Sequence, residues 1–347
     1  MPRFTFPAEW FPHAATWIAW PHHEPDWPGK LGPIPWVYAE IARVLAQHER
    51  VEILCHDETV QAECEALLRA HGVGDNARLH LVPTDRVWLR DSAPTFVQDE
   101  SGGVHLMNWA FNAWAKYPNF SRDAEVGPAI ERITRLPRIE PTRPDGSTHL
   151  VLEGGGIETD GEGTLLVTEE WLLSDVQVRN PGLDRAAYER AFRDYLGIRE
   201  TIWLGEGCVG DDTHGHVDDI ARFVAPGVVV LAYEDDPADD ENHRRSVDNM
   251  RRLELAGAAR GALKVARIPF PRAVTMNGER LPASYANFYI ANGVVLVPTF
   301  NDDNDRVALN TLAELMPNRR VVGIHAVDLV WGFGTLHCLT QQQPAPR

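Results

Sequence analysis

The chain has 347 residues, 44% hydrophobic and 24% charged, enough to bury a sizeable core in one large domain or two smaller ones. With 33 basic against 50 acidic residues the formal charge is −17, which sets phosphate backbones and anionic membranes aside as partners and favours a small cation. No apolar run approaches the ~20 residues that span a bilayer. The first residues lack a basic start followed by an apolar stretch, and Cys55, Cys64, Cys208 and Cys338 form no CxxC pair. A cytoplasmic protein with reduced thiols is expected.

In chain order, TWIAWP (16–21) reads as a strand, IPWVYAEIARVLAQHE (34–49) as a helix and VEILC (51–55) as a strand, with a further helix after it. Four segments then share one pattern, an apolar strand, a glycine turn and a β-branched strand: 95–109, 155–170, 220–234 and 287–300. Their turn glycines, Gly103, Gly163, Gly227 and Gly293, are separated by 60, 64 and 66 residues. Between them lie helical patterns, DRAAYERAFRDYLG (184–197) and RVALNTLAELMP (306–317). A period near 60 marks a repeated supersecondary unit, about five in all with the last incomplete. Pairing the strand around Cys338 with TWIAWP would close the set. No linker divides the chain, so residues 1–347 are expected to form a single catalytic domain, with Pro33–Pro35 and Pro137–Pro144 in loops.

Polar stretches interrupt the apolar strands near the hairpin starts, at VWLRDSAPTFV, LEGGGIETDGEGT, DDTHGHVDDIARF and the terminal GFGTLHCLTQQQP. Such groups need partners or a purpose. Read as a strand, the last segment points His337 and Cys338 to opposite faces, which makes His337 the poorer base for its neighbour. The same alternation puts His214, His216 and Asp218 on one side; for either histidine taken alone, a hydrogen-bonded structural residue is the better account. His-x-His-x-Asp also suggests a metal site, but Asp219 follows and no second histidine cluster supports it, so no metal is expected. Glu153 heads three glycines that permit either a tight turn or close approach of a ligand. Asp91 follows Arg90 within an apolar run, which argues against an exposed ion pair.

Taken together, WLRDSAPTFV, FNAW, LEGGG, TEEWLL followed by RNP, GHVDD and HCLTQQQP resemble the agmatine deiminase family, which is grouped with the bacterial-type peptidylarginine deiminases. The resemblance runs from about residue 5 to the end. It implies the pentein fold, a five-bladed pseudo-symmetric α/β propeller of ββαβ-type modules. It also implies hydrolysis of agmatine to N-carbamoylputrescine and ammonia through a covalent amidino-thioether. By position, Cys338 matches the nucleophile and His216 the general acid/base. Asp91 and Asp218 match the carboxylates that grip the guanidinium, and Glu153 one that contacts it or steadies the histidine. Trp88, Trp114 and Gly334 match substrate-lining positions. The implied partner is a small cationic guanidine, with no metal or organic cofactor, and a homo-oligomer is left open. The alternatives are deimination of another guanidine such as peptidyl-arginine, or a non-catalytic guanidine or polyamine binder. Three departures stand out: AKYPN, with Lys116, where a Gly-Gly turn is usual; His214 where Asn is usual; and Trp171 in place of Cys. The three acidic residues are expected to oppose ionisation of Cys338 until a bound guanidinium reverses the sign.

Overall fold

A computed structural model describes residues 4–260 and 263–347. Among these residues the chain is a mixed α/β fold in which one sheet pattern recurs five times: two antiparallel strands, then a third parallel to the second. The first has Thr95–Asp99 against Val104–Met107, with Arg138–Ile139 parallel beyond and Phe4–Thr5 on the other edge. Glu158–Thr159, Thr164–Thr168 and Glu200–Leu204 make the second, and Ala221–Ala225, Val228–Ala232 and Lys264–Ile268 the third. Tyr289–Ala291, Val294–Thr299 and Arg320–His325 make the fourth. The fifth joins the two ends of the chain: Gln341–Pro344 lies antiparallel to His13–Ala19, and Arg50–Cys55 and Ala77–Leu81 follow in parallel. The closing strand therefore pairs as expected, although Cys338 itself precedes it.

A parallel third strand needs a long crossover, and in each sheet a helix supplies it. These helices are Val126–Thr134, Arg185–Leu196, Asp240–Arg260, Asn304–Leu315 and Ile34–Leu45, with Glu58–Ala70 ahead of Ala77–Leu81. Local signals explain their limits. Asp184 and Asp57 each accept a backbone N–H three residues on, and Gly197 ends its helix at φ 72°. Ile34–Leu45 buries Tyr38, Ile41, Ala42 and Leu45 at helical spacing, with Pro35 in its first turn rather than in a loop.

The helix Asp240–Arg260 has no counterpart in the hydrophobic pattern, because much of its inner face is polar. Asn242, Ser246 and Asn249 are buried beside Met250 and Leu253. They accept the backbone N–H groups of Val209, Glu234 and Gly205. In the first hairpin Gly102, not Gly103, takes the left-handed position, at φ 83°. No helix among the described residues is long and apolar enough to cross a membrane.

Candidate active site

The short segments just before the hairpins carry the polar side chains inward. Asp91 lies in the helical turn Leu89–Ser92, Glu153 precedes Gly154–Gly156, and His216 precedes Val217–Asp219. Cys338 lies in the helical turn Leu336–Leu339, which corrects the strand reading of this segment. In a helical turn successive side chains diverge by about 100°, so His337 and Cys338 both reach buried partners around the site. His337 Nδ1 is 2.7 Å from Asp218 Oδ2 and its Nε2 is 2.8 Å from Glu9 Oε2. It is thus bound between two buried carboxylates and not free to act as a base. His214 is also corrected: at φ 64° it turns away, with Nε2 3.0 Å from Ser174 Oγ, and does not share a face with His216 and Asp218. Arg90 and Asp91 do not pair either, for Arg90 runs to Gln342, Glu9 and the carbonyl of His337.

The other predicted residues come together. A methyl group on Gly155 would lie 2.6 Å from His216 Nδ1 and 3.0 Å from both Asp218 Oδ2 and Asp91 Oδ1, so these atoms surround a single point. Cys338 Sγ is 3.7 Å from Asp218 Oδ2. A cavity of about 170 Å³ opens onto Cys338 and Asp91 between Trp88, Trp114 and Gly334. His216 and Asp218 do not line it but adjoin its Asp91 and Cys338, at 3.8 and 3.7 Å.

Each glycine before the second hairpin is required by crowding. A Cβ on Gly154 would lie 2.2 Å from the Arg90 carbonyl oxygen, and one on Gly156 would lie 2.4 Å from the Trp171 ring. Trp114 sits in a left-handed turn, Ala113–Ala115, with φ of 49°, 59° and 53°. That conformation costs roughly 1–2 kcal/mol per residue. Asn112 braces it by accepting the Ala115 N–H, and the turn aims Trp114 Nε1 at Asp91 Oδ2, 2.9 Å away.

The charges divide by environment. Glu153 accepts from Arg179 Nε (3.0 Å) and Trp171 Nε1 (2.7 Å). Burial would raise its pKa, but Arg179 and His216 hold it at about 2. Burial raises Asp91 to about 6, against the pull of His216 and with help from Asp218 and Glu153. Burial disfavours the imidazolium of His216, yet Asp91, Glu153 and Asp218 outweigh it and raise its pKa to about 9. Asp91 Oδ1 and Glu153 Oε2 stand 3.8 and 3.6 Å from its two ring nitrogens. Neither nitrogen has a hydrogen-bond partner among the described residues, and nor does Asp218 Oδ1. Asp218 stays ionised despite burial because His337 bonds it. Burial, then Asp218, Asp219 and Asp91, push the Cys338 thiol well up. Oxygens of Asp218 and Asp219 and the sulfur lie within 4.8 Å of one another, while burial, then Asp218, push the Asp219 carboxyl well above its ordinary value and disfavour the anion that would ligate a metal.

The departures from the family pattern now have physical accounts. Trp171 bonds Glu153 and packs edge-on to His216, with ring centroids 5.5 Å apart. Lys116 pairs with Asp212, as does the Tyr117 hydroxyl (2.7 Å). Sequence reasoning missed Arg179, Glu9 and His337 as supports of the site. RNP was visible as a block, but nothing in one dimension brings Arg179 to Glu153. Glu9, in a plain N-terminal segment, gave no signal at all.

A thiol, an imidazole and carboxylates gathered beside one cavity in an α/β chain are the set of an enzyme that works through a covalent sulfur intermediate. The chain belongs to the Porphyromonas-type peptidyl-arginine deiminase family, whose model matches residues 5–344. It is 39% identical to the agmatine deiminase of Stutzerimonas stutzeri, over 99% of this chain and 96% of that protein. The agmatine deiminase of Pseudomonas aeruginosa is 37% identical over the same shares. Among solved structures, the agmatine deiminase of Enterococcus faecalis superposes with a TM-score of 0.89 at 30% identity, covering 98% of this chain and 96% of that one.

Proposed function

We propose that this protein is an agmatine deiminase with Cys338 as nucleophile. The observation that carries this reading is the group of buried polar atoms, Asp218 Oδ1 and both nitrogens of His216, that lack partners beside Asp91 and the thiol. A guanidinium satisfies the Asp218 oxygen: its N–H groups donate to Asp91 and Asp218, and its charge reverses the field that keeps Cys338 protonated. The thiol gives up its proton to solvent and, with the guanidinium plane fixed, the thiolate adds to the central carbon. The carbon–nitrogen bond then breaks as imidazolium His216 gives its proton to the departing nitrogen, which releases ammonia and leaves an amidino-thioether. Neutral His216 next takes a proton from water, and the hydroxide adds to the same carbon. The hydroxyl proton passes to the sulfur as the carbon–sulfur bond breaks, so the thiol returns and a neutral ureido product leaves.

The cavity wall favours an amine tail over an amino-acid tail. Arg86 is its only basic residue among those described, and its guanidinium is already committed to Asn119 (2.9 and 3.2 Å) and Asp26 (3.4 Å). No free cation there would clamp the carboxylate of arginine, whereas Asp26 Oδ2, which has no hydrogen-bond partner among the described residues, suits an ammonium. The recurring sheets, with site residues from separate sheets meeting at one place, support five blades around an axis, and residues 1–347 as one catalytic domain.

The test is ammonia release from agmatine, arginine and a blocked arginine peptide. Agmatine should be the preferred substrate, and Cys338→Ser should stay folded while kcat falls by ~10⁴-fold or more. Preference for the peptide would move the assignment to peptidyl-arginine. A haloacetamidine should add once, on Cys338; a protein left unmodified would be a binder and not an enzyme.

A further inference from the structure

Four of the five sheets send a side chain to the site from the segment just before their first strand: Asp91, Glu153, His216 with Asp218, and Cys338. The remaining sheet begins at Tyr289, and the corresponding residue is Asn287, which is fully buried. Its side-chain nitrogen is 3.1 Å from Cys338 Sγ and 2.9 Å from Asp219 Oδ1. Its side-chain oxygen accepts from the Thr335 hydroxyl (2.8 Å) and the His337 N–H (3.0 Å), with the Cys338 N–H at 3.4 Å. The two backbone groups are donors only, so the oxygen must face them and the amide N–H must face the sulfur.

We propose that Asn287 is a catalytic residue: its side-chain amide donates a hydrogen bond to the Cys338 thiolate, stabilises it, and holds the sulfur in line with the guanidinium carbon. This rests on Cys338 being the nucleophile. An N–H gains little from a neutral thiol and much more from a thiolate, so the bond strengthens as negative charge develops on sulfur. The charged and titratable groups facing the sulfur are Asp218, Asp219 and Asp91, and all three oppose that charge; the Thr335 backbone favours it. The side-chain amide is a further donor acting with the thiolate. Thr335 and Asp219 hold it at both ends, so it is oriented before substrate arrives.

The discriminating variant is Asn287→Asp, which keeps the oxygen for Thr335 and His337 and removes the donor to sulfur. In the unliganded enzyme, its iodoacetamide alkylation rate at neutral pH should fall ~10- to 100-fold, with the thiol titration displaced to higher pH. Agmatine kcat should fall by a similar factor while KM stays within about threefold, since Asp91 and Asp218 are untouched. Since the new carboxyl would itself oppose a thiolate, the uncharged Asn287→Ala must shift in the same direction, and an unchanged alkylation profile of the folded protein in that variant would overturn the proposal. Should N287D not fold, nitrogen-15 labelling of asparagine in the wild type decides. The Asn287 side-chain signal should move as Cys338 ionises, and not in Cys338→Ala; a signal indifferent to that titration overturns it. If Cys338→Ser still turned over agmatine, the nucleophile assignment would fail instead, a separate result.

Discussion

His337 shows how far a single residue's role depends on what stands across from it. Read as a strand neighbour of Cys338 it looks dispensable, but it bridges Asp218 and Glu9, both buried. Glu9 also receives Arg222 (2.8 Å) and Arg90 (3.3 Å), so the whole group is a closed ionic network. Removing the imidazole takes the hydrogen-bond partner from buried Asp218, while Glu9 keeps Arg222 and Arg90. His337→Ala should therefore cost about 3–5 kcal/mol in urea unfolding, together with activity. His216→Ala should instead abolish turnover with a smaller change in stability. Equal unfolding midpoints for wild type and H337A would refute the bridging role. The pH profile follows from the same charges. Asp91 must be ionised to hold the guanidinium, and its folded pKa is raised to about 6, so kcat/KM should rise through that value. His216 must carry its proton, and its pKa is raised to about 9, so kcat/KM should fall through that one. A profile flat across either range would count against the corresponding role.

At the scale of elements, the glycine turn and the left-handed turn do opposite work. Gly154–Gly156 keeps side chains out of a crowded place, and Ala113–Ala115 accepts an unfavourable backbone to bring a tryptophan in. Gly155→Ala would set a methyl where His216, Asp218 and Asp91 converge. It should raise KM for agmatine at least ~10-fold without removing any reacting group, and unchanged KM would mean that the guanidinium lies elsewhere. The helices with apolar stripes were legible from the sequence, as over 184–197, where the structure has Arg185–Leu196. Asp240–Arg260 was not, because asparagine and serine on its buried face satisfy loop N–H groups and erase the apolar period. Nor was the turn at Cys338, whose four residues are too few for any period to distinguish helix from strand.

For the molecule as a whole, the fifth sheet ties the termini together. Gln341 pairs with Trp17, Gln341 Nε2 donates to the Pro94 carbonyl (2.7 Å), and Arg90 donates to Gln342 (2.6 Å). The segment just before this strand bears the nucleophile, so anchoring the end of the chain and placing the sulfur are one event. Deleting residues 341–347 should abolish cooperative thermal unfolding, not merely lower activity. A truncated chain with a single sharp transition would show that the closing strand is not required.

By itself the sequence showed the repeat and most of the hairpins and helices, because periodicity is written along one dimension, while the set of thiol, imidazole and carboxylates followed from the likeness of its motifs to a known family. Only the tertiary structure decided that His337 is clamped between carboxylates, that Arg179 and Trp171 hold Glu153, and that Asn287 faces the sulfur. Those contacts join residues 18 to 328 positions apart. Their energetics come from burial, which no local pattern records: removing water turns each neighbouring charge from a weak influence into the one that sets its partner's protonation.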